Sequence, residues 1–291
     1  STDSGLPVEY RRTGTLETTG GVVELSRLER TAEVLASRGV AAVLLDGPAL
    51  RAEEPQLAED VLGGLLIPSH GFVAAADLTR ALVVAARRRG ARIADPCRVR
   101  RIGFTKSHVL VETDRDTHRA HAVVIAAGCW SAAIDIDGLT SRVPVRPVRG
   151  QLLQLAWDGP APRRVTWGAR CYLVPWEDGT VLVGATVEEA GFDERATVAG
   201  VRDLLDAACD LVPRSWTAAF RGARVGLRPA TPDELPVIGP SHVNPRVMYA
   251  TGHYRNGVLL APLTAQLVAD AMLVNRIDPL LETVSPARFG L

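Results

Sequence analysis

Val247-Met248-Tyr249-Ala250-Thr251-Gly252-His253-Tyr254-Arg255-Asn256-Gly257 is the stretch on which the reading of this chain turns. A short apolar strand runs into Thr251-Gly252, and a long helix is expected from about Asn256. The two glycines allow close backbone approach, and Asn256 is a good N-cap residue. A helix N-terminus presents unpaired N–H groups and a partial positive charge, which suit an anionic group such as a phosphate or the anionic edge of a cofactor ring. Taken alone, the signal is weak, because many strand–turn–helix units look the same and an ordinary βα turn is the favoured reading.

Working outward, residues 70–130 alternate between strand and helix patterns. Asp77 to Arg89 has helical period, with Leu78, Leu82, Val83 and Ala86 on one face, and it ends in Arg87-Arg88-Arg89 before Gly90. That basic run is helix C-terminal charge followed by a cap. Ala74 stands where a capping side chain is expected, and an uncapped first turn costs about 1 kcal/mol. Arg98–Gly103, Val109–Thr113 and His121–Ala126 read as strands, with Asp114–Thr117 as a polar turn between the last two. Upstream, residues 10–18 alternate as one strand. Residues 22–39 form an amphipathic helix stopped at Gly39, Val40–Leu45 is a strand, Asp46 precedes a short helix at 48–53, and Leu65–Pro68 is a strand. From Val143 the texture becomes β-rich. Val148–Ala156, Arg170–Pro175, Val181–Thr186 and Arg221–Arg228 read as strands, with turns at Trp157-Asp158-Gly159 and Glu177-Asp178-Gly179 and a helix at 198–212. A βα unit at 247–274 then closes an α/β (α+β) chain in which one domain is interrupted by another.

Two further phrases carry chemistry. Gly226-Leu227-Arg228-Pro229 holds an arginine between a strand end and a proline, and a guanidinium so placed can grip a carboxylate in two places. The competing reading is an ion pair from Arg228 to Asp233 or Glu234. Val124-Ile125-Ala126-Ala127-Gly128-Cys129-Trp130-Ser131 ends a buried strand in small residues, which admit either a cofactor or a tightly packed helix. Arg146 and Arg149, beside Pro144 and Pro147, are expected to brace a domain junction. His118 and His121 lack a third metal ligand nearby, and neither a G-x-S-x-G elbow nor a P-loop occurs.

Composition narrows the classes. The 291 residues are 47% hydrophobic, and 33 basic residues balance 33 acidic ones, which gives no electrostatic case for nucleic acid or an acidic membrane surface. Cys97, Cys129, Cys171 and Cys209 form no C-x-x-C pair and fit free thiols in a reducing, cytoplasmic compartment. Pro262, Gln266 and Asp270 interrupt the apolar run from Val258 to Val274, so a buried amphipathic helix is expected there rather than a membrane span.

Taken together, these segments resemble the glycine oxidases of thiamine biosynthesis, within the D-amino-acid oxidase superfamily. The resemblance rests on Tyr10–Leu16, Val61–Leu65, Val145–Gln151, Tyr172–Pro175, Leu182–Thr186, Gly226–Asp233 and Thr251–Gly257, which follow the family's order over nearly the whole chain. It implies a partial, Rossmann-like FAD-binding domain at 67–140 and 241–291. It also implies a substrate-binding domain on a large antiparallel sheet at 1–66 and 141–240.

By the same resemblance, Arg228 binds the substrate carboxylate, Tyr172 adds a hydroxyl at that group, and Arg255 lies beside the substrate near the flavin. Gly252, His253, Asn256, Gly257, Val258 and Leu259 line the isoalloxazine. Val99 meets the adenine half through its backbone, and Ala127, Gly128 and Trp130 pack near the cofactor. The implied reaction is FAD-dependent oxidation of glycine, sarcosine or another N-substituted glycine, by hydride transfer from Cα–H to flavin N5. Imine hydrolysis and reoxidation by dioxygen to hydrogen peroxide follow. A quinone- or dye-linked dehydrogenase of the same superfamily and a flavin-free, non-catalytic subunit are the rivals, and the oligomeric state stays open, self-association included. The family's opening strand, G-x-G-x-x-G and ribose-binding acidic residue do not occur here. The expectation is that roughly 70–80 family residues, the usual βαβ unit and its continuation, lie ahead of Ser1 or on a separate chain.

Overall fold

Residues 2–157 and 159–291 are described by a computed structural model, so the turn expected at Asp158 lies outside the described residues. In chain order the first elements are β1 (Tyr10–Arg11), β2 (Thr15–Thr19), α1 (Val22–Ser37), β3 (Val43–Asp46), α2 (Gly47–Glu53), β4 (Gly63–Ile67), β5 (Phe72–Val73) and α3 (Ala75–Arg88). Then come β6 (Val99–Phe104), β7 (Val109–Thr113), β8 (Thr117–Ala120), β9 (Val123–Ile125) and β10 (Asp135–Ile136). The β-rich stretch is β11 (Arg146–Ala156), β12 (Val165–Trp167), β13 (Tyr172–Pro175), β14 (Thr180–Gly184), α4 (Val198–Leu211) and β15 (Ala219–Ala230). The chain closes with β16 (Val237–Pro240), β17 (Val247–Thr251), α5 (Gly257–Leu273) and α6 (Leu280–Thr283).

Two compact units share these elements, and each is assembled from three stretches of chain. The first takes Ser1–Ala91, Gly150–Val187 and Glu194–Gly226; the second takes Arg92–Arg149, Glu188–Asp193 and Leu227–Leu291.

The first unit is built on an eight-stranded sheet in the order β15-β11-β14-β13-β12-β2-β4-β3. The pairs β11/β14, β14/β13, β13/β12, β2/β4 and β4/β3 are antiparallel, whereas β12 and β2 run parallel. Side chains alternate across a strand, so residues in register share a face. Leu153, Val183 and Leu173 lie in one cross-strand row, and all three are fully buried. The apolar face of α4, with Leu204, Ala207, Ala208 and Leu211, covers that row together with Leu50 of α2. Elsewhere in the unit, Leu28 of α1 packs on Leu65 and Ile67 of β4. The ends of α1 and α2 follow their residues. Gly39 adopts φ +73° and lets Val40 N–H reach back to the Leu35 carbonyl (2.9 Å), while Asp46 caps α2 by accepting from Ala49 N–H (2.9 Å). Ala74 makes no side-chain cap to α3, and Arg87 and Arg88 occupy its last turn, as read above.

The second unit has two sheets. β6, β7 and β8 form an antiparallel meander with β10 parallel to β6, and β16-β17-β9 pairs β17 parallel to β9. Ile102, Val109, Ile125, Val237, Val247 and Tyr249 form its core.

Three expectations are corrected, and strands without a sequence signal are added. Residues 10–18 do not make one strand: 12–14 break it into β1 and β2, with Gly14 at φ +83°. Thr117 opens strand β8 instead of ending a turn, because His118 and Arg119 pair with Val111 and Leu110. β12 and β16, too short to show a period, are additional strands. Finally, α5 is not a buried amphipathic helix: Thr264 and Leu267 are buried, while Leu259 (78% exposed) and Leu273 (81%) face outward. Gln266 and Asp270, one turn apart, are its polar patch, and apolar side chains occupy much of the remaining circumference. Among the described residues, no helix is long and apolar enough to cross a membrane.

Gln151 is the polar hub of the first unit's core. Fully buried, its amide accepts from Thr197 N–H (2.8 Å) and donates to the Thr197 hydroxyl (2.9 Å), the same hydroxyl that caps α4 at Gly200 N–H (3.1 Å). A Cβ on Gly200 would run into that amide. Gly→Ala in a helix normally stabilises by roughly 0.5–1 kcal/mol. Gly200→Ala is expected to reverse that sign and cost about 1–3 kcal/mol by overpacking, read as a lower urea midpoint in equilibrium unfolding.

Candidate functional site

The second unit brings together three phrases that are far apart in the chain. Val237 and the apolar strand β17 are core elements, and β17 delivers Thr251-Gly252 at its end. The Thr251 hydroxyl donates to the Gly128 carbonyl (3.0 Å) and accepts from the Ser131 hydroxyl (2.8 Å), tying the β17 turn to the 3₁₀ turn Gly128–Ala133 that follows β9. Cys129 Sγ reaches the Leu227 carbonyl (3.9 Å), one residue before Arg228. Tyr254 N–H donates to the Pro229 carbonyl (2.9 Å), one residue after it.

Backbone conformation at this junction is unusual for specific reasons. Gly252 sits at φ +74°, and a Cβ there would meet Thr231 Cγ2 at 2.7 Å, so only glycine fits. Tyr254 takes φ +48°, a left-handed conformation that costs an L-residue roughly 1–2 kcal/mol. The bond to Pro229 and the Asn256 N–H to His253 carbonyl bond (2.9 Å) hold this strained turn at the head of α5. Asn256 occupies the N-cap position, but its side chain makes no cap bond, which corrects the expectation that it caps the helix. The first-turn N–H groups of α5 therefore have no side-chain acceptor from Asn256, and exposed Val258 and Leu259 stand beside them. His253 is half-buried, with Nε2 2.9 Å from the Thr264 hydroxyl, and burial holds its imidazole below the usual histidine range, hence neutral.

Val99, Ala127 and Trp130 line one cleft of ≈ 470 Å³, together with Cys97, Arg98, Ala133 and Ile134. Gly128 borders it at φ +54° with open space where a Cβ would stand. An open backbone at Gly128, a mostly apolar cleft and a helix start without a side-chain cap fit a flat, anionic, dinucleotide-type group such as FAD.

Arg228 is half-buried near the end of β15, and its Nη1 donates to the Arg149 carbonyl (3.4 Å). The competing ion pair to Asp233 is not what forms. Asp233 is taken by Arg288 (2.8 Å), which holds its carboxyl down to about 2. Arg255 is exposed and makes no ion pair among the described residues. Tyr172 belongs to the first unit, where it faces Gly184 across β13/β14 and its ring lies 4.7 Å from Trp167. Any side chain larger than glycine at position 184 would strike that ring.

Residues 188–193 carried no motif, yet they pair with both arginines singled out above. Glu189 binds Arg146 (2.9 Å), and Glu188 and Asp193 bind Arg149 (2.6 and 3.1 Å). Both arginines thus engage carboxylates inside the second unit. Phe192 sets its ring 6.0 Å from Trp130 at the cleft. The acidic pair Glu188-Glu189 was visible, but its partners lie about 40 residues upstream.

A family model described as FAD dependent oxidoreductase matches residues 1–271. The glycine oxidase of Geobacillus kaustophilus is 38% identical over 229 residues, covering 78% of this chain and 60% of that protein. The bifunctional protein ThiO/ThiG of Nostoc sp. is 38% identical over 242 residues, covering 81% of this chain and 36% of that protein. The chain thus spans between a third and two thirds of the length of these relatives. Among solved structures, the crystal structure of glycine oxidase from Geobacillus kaustophilus superposes with a TM-score of 0.91 at 33% identity, over 98% of this chain and 77% of that one.

Two outcomes are expected from the junction. Thr251→Val leaves the Ser131 hydroxyl and the Gly128 carbonyl without their buried partner, and lowers unfolding stability by about 1–3 kcal/mol in urea titrations. His253, with its folded pKa depressed, contributes stability that is fully present above the unfolded value of about 6.5 and is lost as pH falls through the folded one. Between pH 7.5 and 5.5 the thermal midpoint of the wild type is therefore expected to fall further than that of His253→Gln.

Proposed function

The chain belongs to the FAD dependent oxidoreductase family, and we propose that it oxidises glycine, sarcosine or another N-substituted glycine as the substrate-facing part of a glycine oxidase-type enzyme. The observation that carries this reading is the Tyr254 N–H to Pro229 carbonyl bond, which sets Arg228 beside the glycine turn at the head of α5. FAD, when bound, supplies the two-electron acceptor for the substrate's Cα–H.

The chain's own residues bind and orient. The planar fork of Arg228 takes the substrate carboxylate, each charge-assisted bond contributing roughly 1.5–3 kcal/mol. Its backbone is confined by Pro229, which reduces the freedom lost on binding. Gly252, His253, Asn256, Gly257, Val258 and Leu259 would line the flavin ring, and Val99, Ala127, Gly128 and Trp130 would hold the remainder of the cofactor. Arg255 borders the substrate, and Tyr172 is assigned as a hydroxyl donor to the carboxylate on the family resemblance. A substrate amine in its neutral form assists C=N formation with its own lone pair, so no side chain need serve as a base. His253, neutral and bonded to Thr264, positions the turn.

The test is steady-state oxidation of glycine and sarcosine by the FAD-loaded protein, following oxygen uptake and peroxide. Arg228→Ala is expected to raise KM about 10²-fold or more, the loss of one or two such bonds, while the flavin absorbance per chain stays unchanged. Unaltered kinetics would remove Arg228 from the site. Turnover with a quinone or dye but without peroxide would make the enzyme a dehydrogenase.

A further inference from the structure

Arg149 is a buried cation with a specific relation to Arg228. Its side chain is 8% exposed and makes two bonds to Glu188 Oε2 (2.6 Å from Nη2, 3.2 Å from Nε). Nη1 reaches Asp193 Oδ2 (3.1 Å) and the Asp193 carbonyl (3.4 Å). The main chains are paired as well: Arg149 N–H donates to the Glu188 carbonyl (2.9 Å), and Glu188 N–H donates to the Arg149 carbonyl (3.0 Å). That same Arg149 carbonyl is the acceptor for Arg228 Nη1.

A long guanidinium side chain has many rotamers, and a fork grips a carboxylate in two places only from a limited set of them. One way to select those rotamers is an acceptor held where it cannot drift. The Arg149 carbonyl is such an acceptor, because the residue bearing it is pinned on both sides of its own Cα, by the two-way main-chain bridge and by the carboxylates around its side chain. We propose that Arg149 is a positioning residue for Arg228, acting through its carbonyl and through the buried cluster with Glu188 and Asp193. This rests on the reading of Arg228 as the carboxylate ligand.

The test compares Arg149→Lys, which keeps the charge and loses the fork, and Glu188→Gln, which keeps the shape and loses the charge, in the FAD-loaded protein. Acetate is the binding probe, titrated through the flavin spectrum, because it offers a carboxylate without an amine. Both variants are expected to weaken acetate binding and raise KM by roughly tenfold, the size of coupling seen between contacting residues, with kcat within about twofold of wild type. In an Arg228→Ala background, Arg149→Lys is expected to leave acetate binding unchanged, which a merely structural role would not produce. The proposal is overturned if both single variants bind acetate like wild type. It is equally overturned if Arg149→Lys weakens binding by the same factor with and without Arg228. Should Arg228→Ala itself leave acetate binding intact, the reading of Arg228 fails and this inference falls with it. Should Arg228→Ala weaken it while both neighbours prove silent, only the inference fails.

Discussion

One backbone hydrogen bond, from Tyr254 N–H to the Pro229 carbonyl, organises the candidate site. Tyr254 holds a left-handed conformation that an L-residue adopts only against a steric cost, so something must repay it locally. The bond does so, and in doing so places the end of β15 against the turn that begins α5. The Thr251 hydroxyl extends the junction to Gly128, and the packing of Thr231 against Gly252 leaves room there for no side chain. Three separate stretches therefore share one set of constraints, and a change in any of them is felt by the other two.

The electrostatic arrangement has the same character. Asp233, the carboxylate nearest in sequence to Arg228, is held by Arg288 instead. The carboxylates from 188–193 answer Arg146 and Arg149. Asp233 and the carboxylates from 188–193 are thus engaged by Arg288, Arg146 and Arg149.

Much of the fold was legible because its patterns are local. The period of α3 and α4, the glycine after α1, the Asp46 cap and the alternation of β14 each depend on neighbours a few residues apart. β12 and β16, with three and four residues, are defined by their partners and not by their own composition. α5 misled for a different reason. Its breaks at Pro262, Gln266 and Asp270 suggested a polar face, yet apolar side chains occupy the rest of its circumference. At the site, Gly252 and Arg228 could be singled out by residue type. Asn256 was the right residue at the right position without the bond its type predicts. The clamp of Arg149 by Glu188 and Asp193 spans about 40 residues and leaves no trace in local spacing.

The way the chain is divided also bears on how it is made. Each unit is assembled from three stretches, and the first is complete only with the segment Glu194–Gly226. In chain order the first unit is interrupted by Arg92–Arg149 and again by Glu188–Asp193 before Glu194–Gly226 completes it. β2 and β4 have each other early, but β12, β13 and β14 join them only after a meander belonging to the other unit has passed. Long-range pairings of this kind form slowly and leave strand edges exposed in the interval. The interleaving that sets Arg149 opposite residues 188–193 thus carries a kinetic consequence: strands of the eight-stranded sheet meet across intervening chain, and pairings of that range are slow to form.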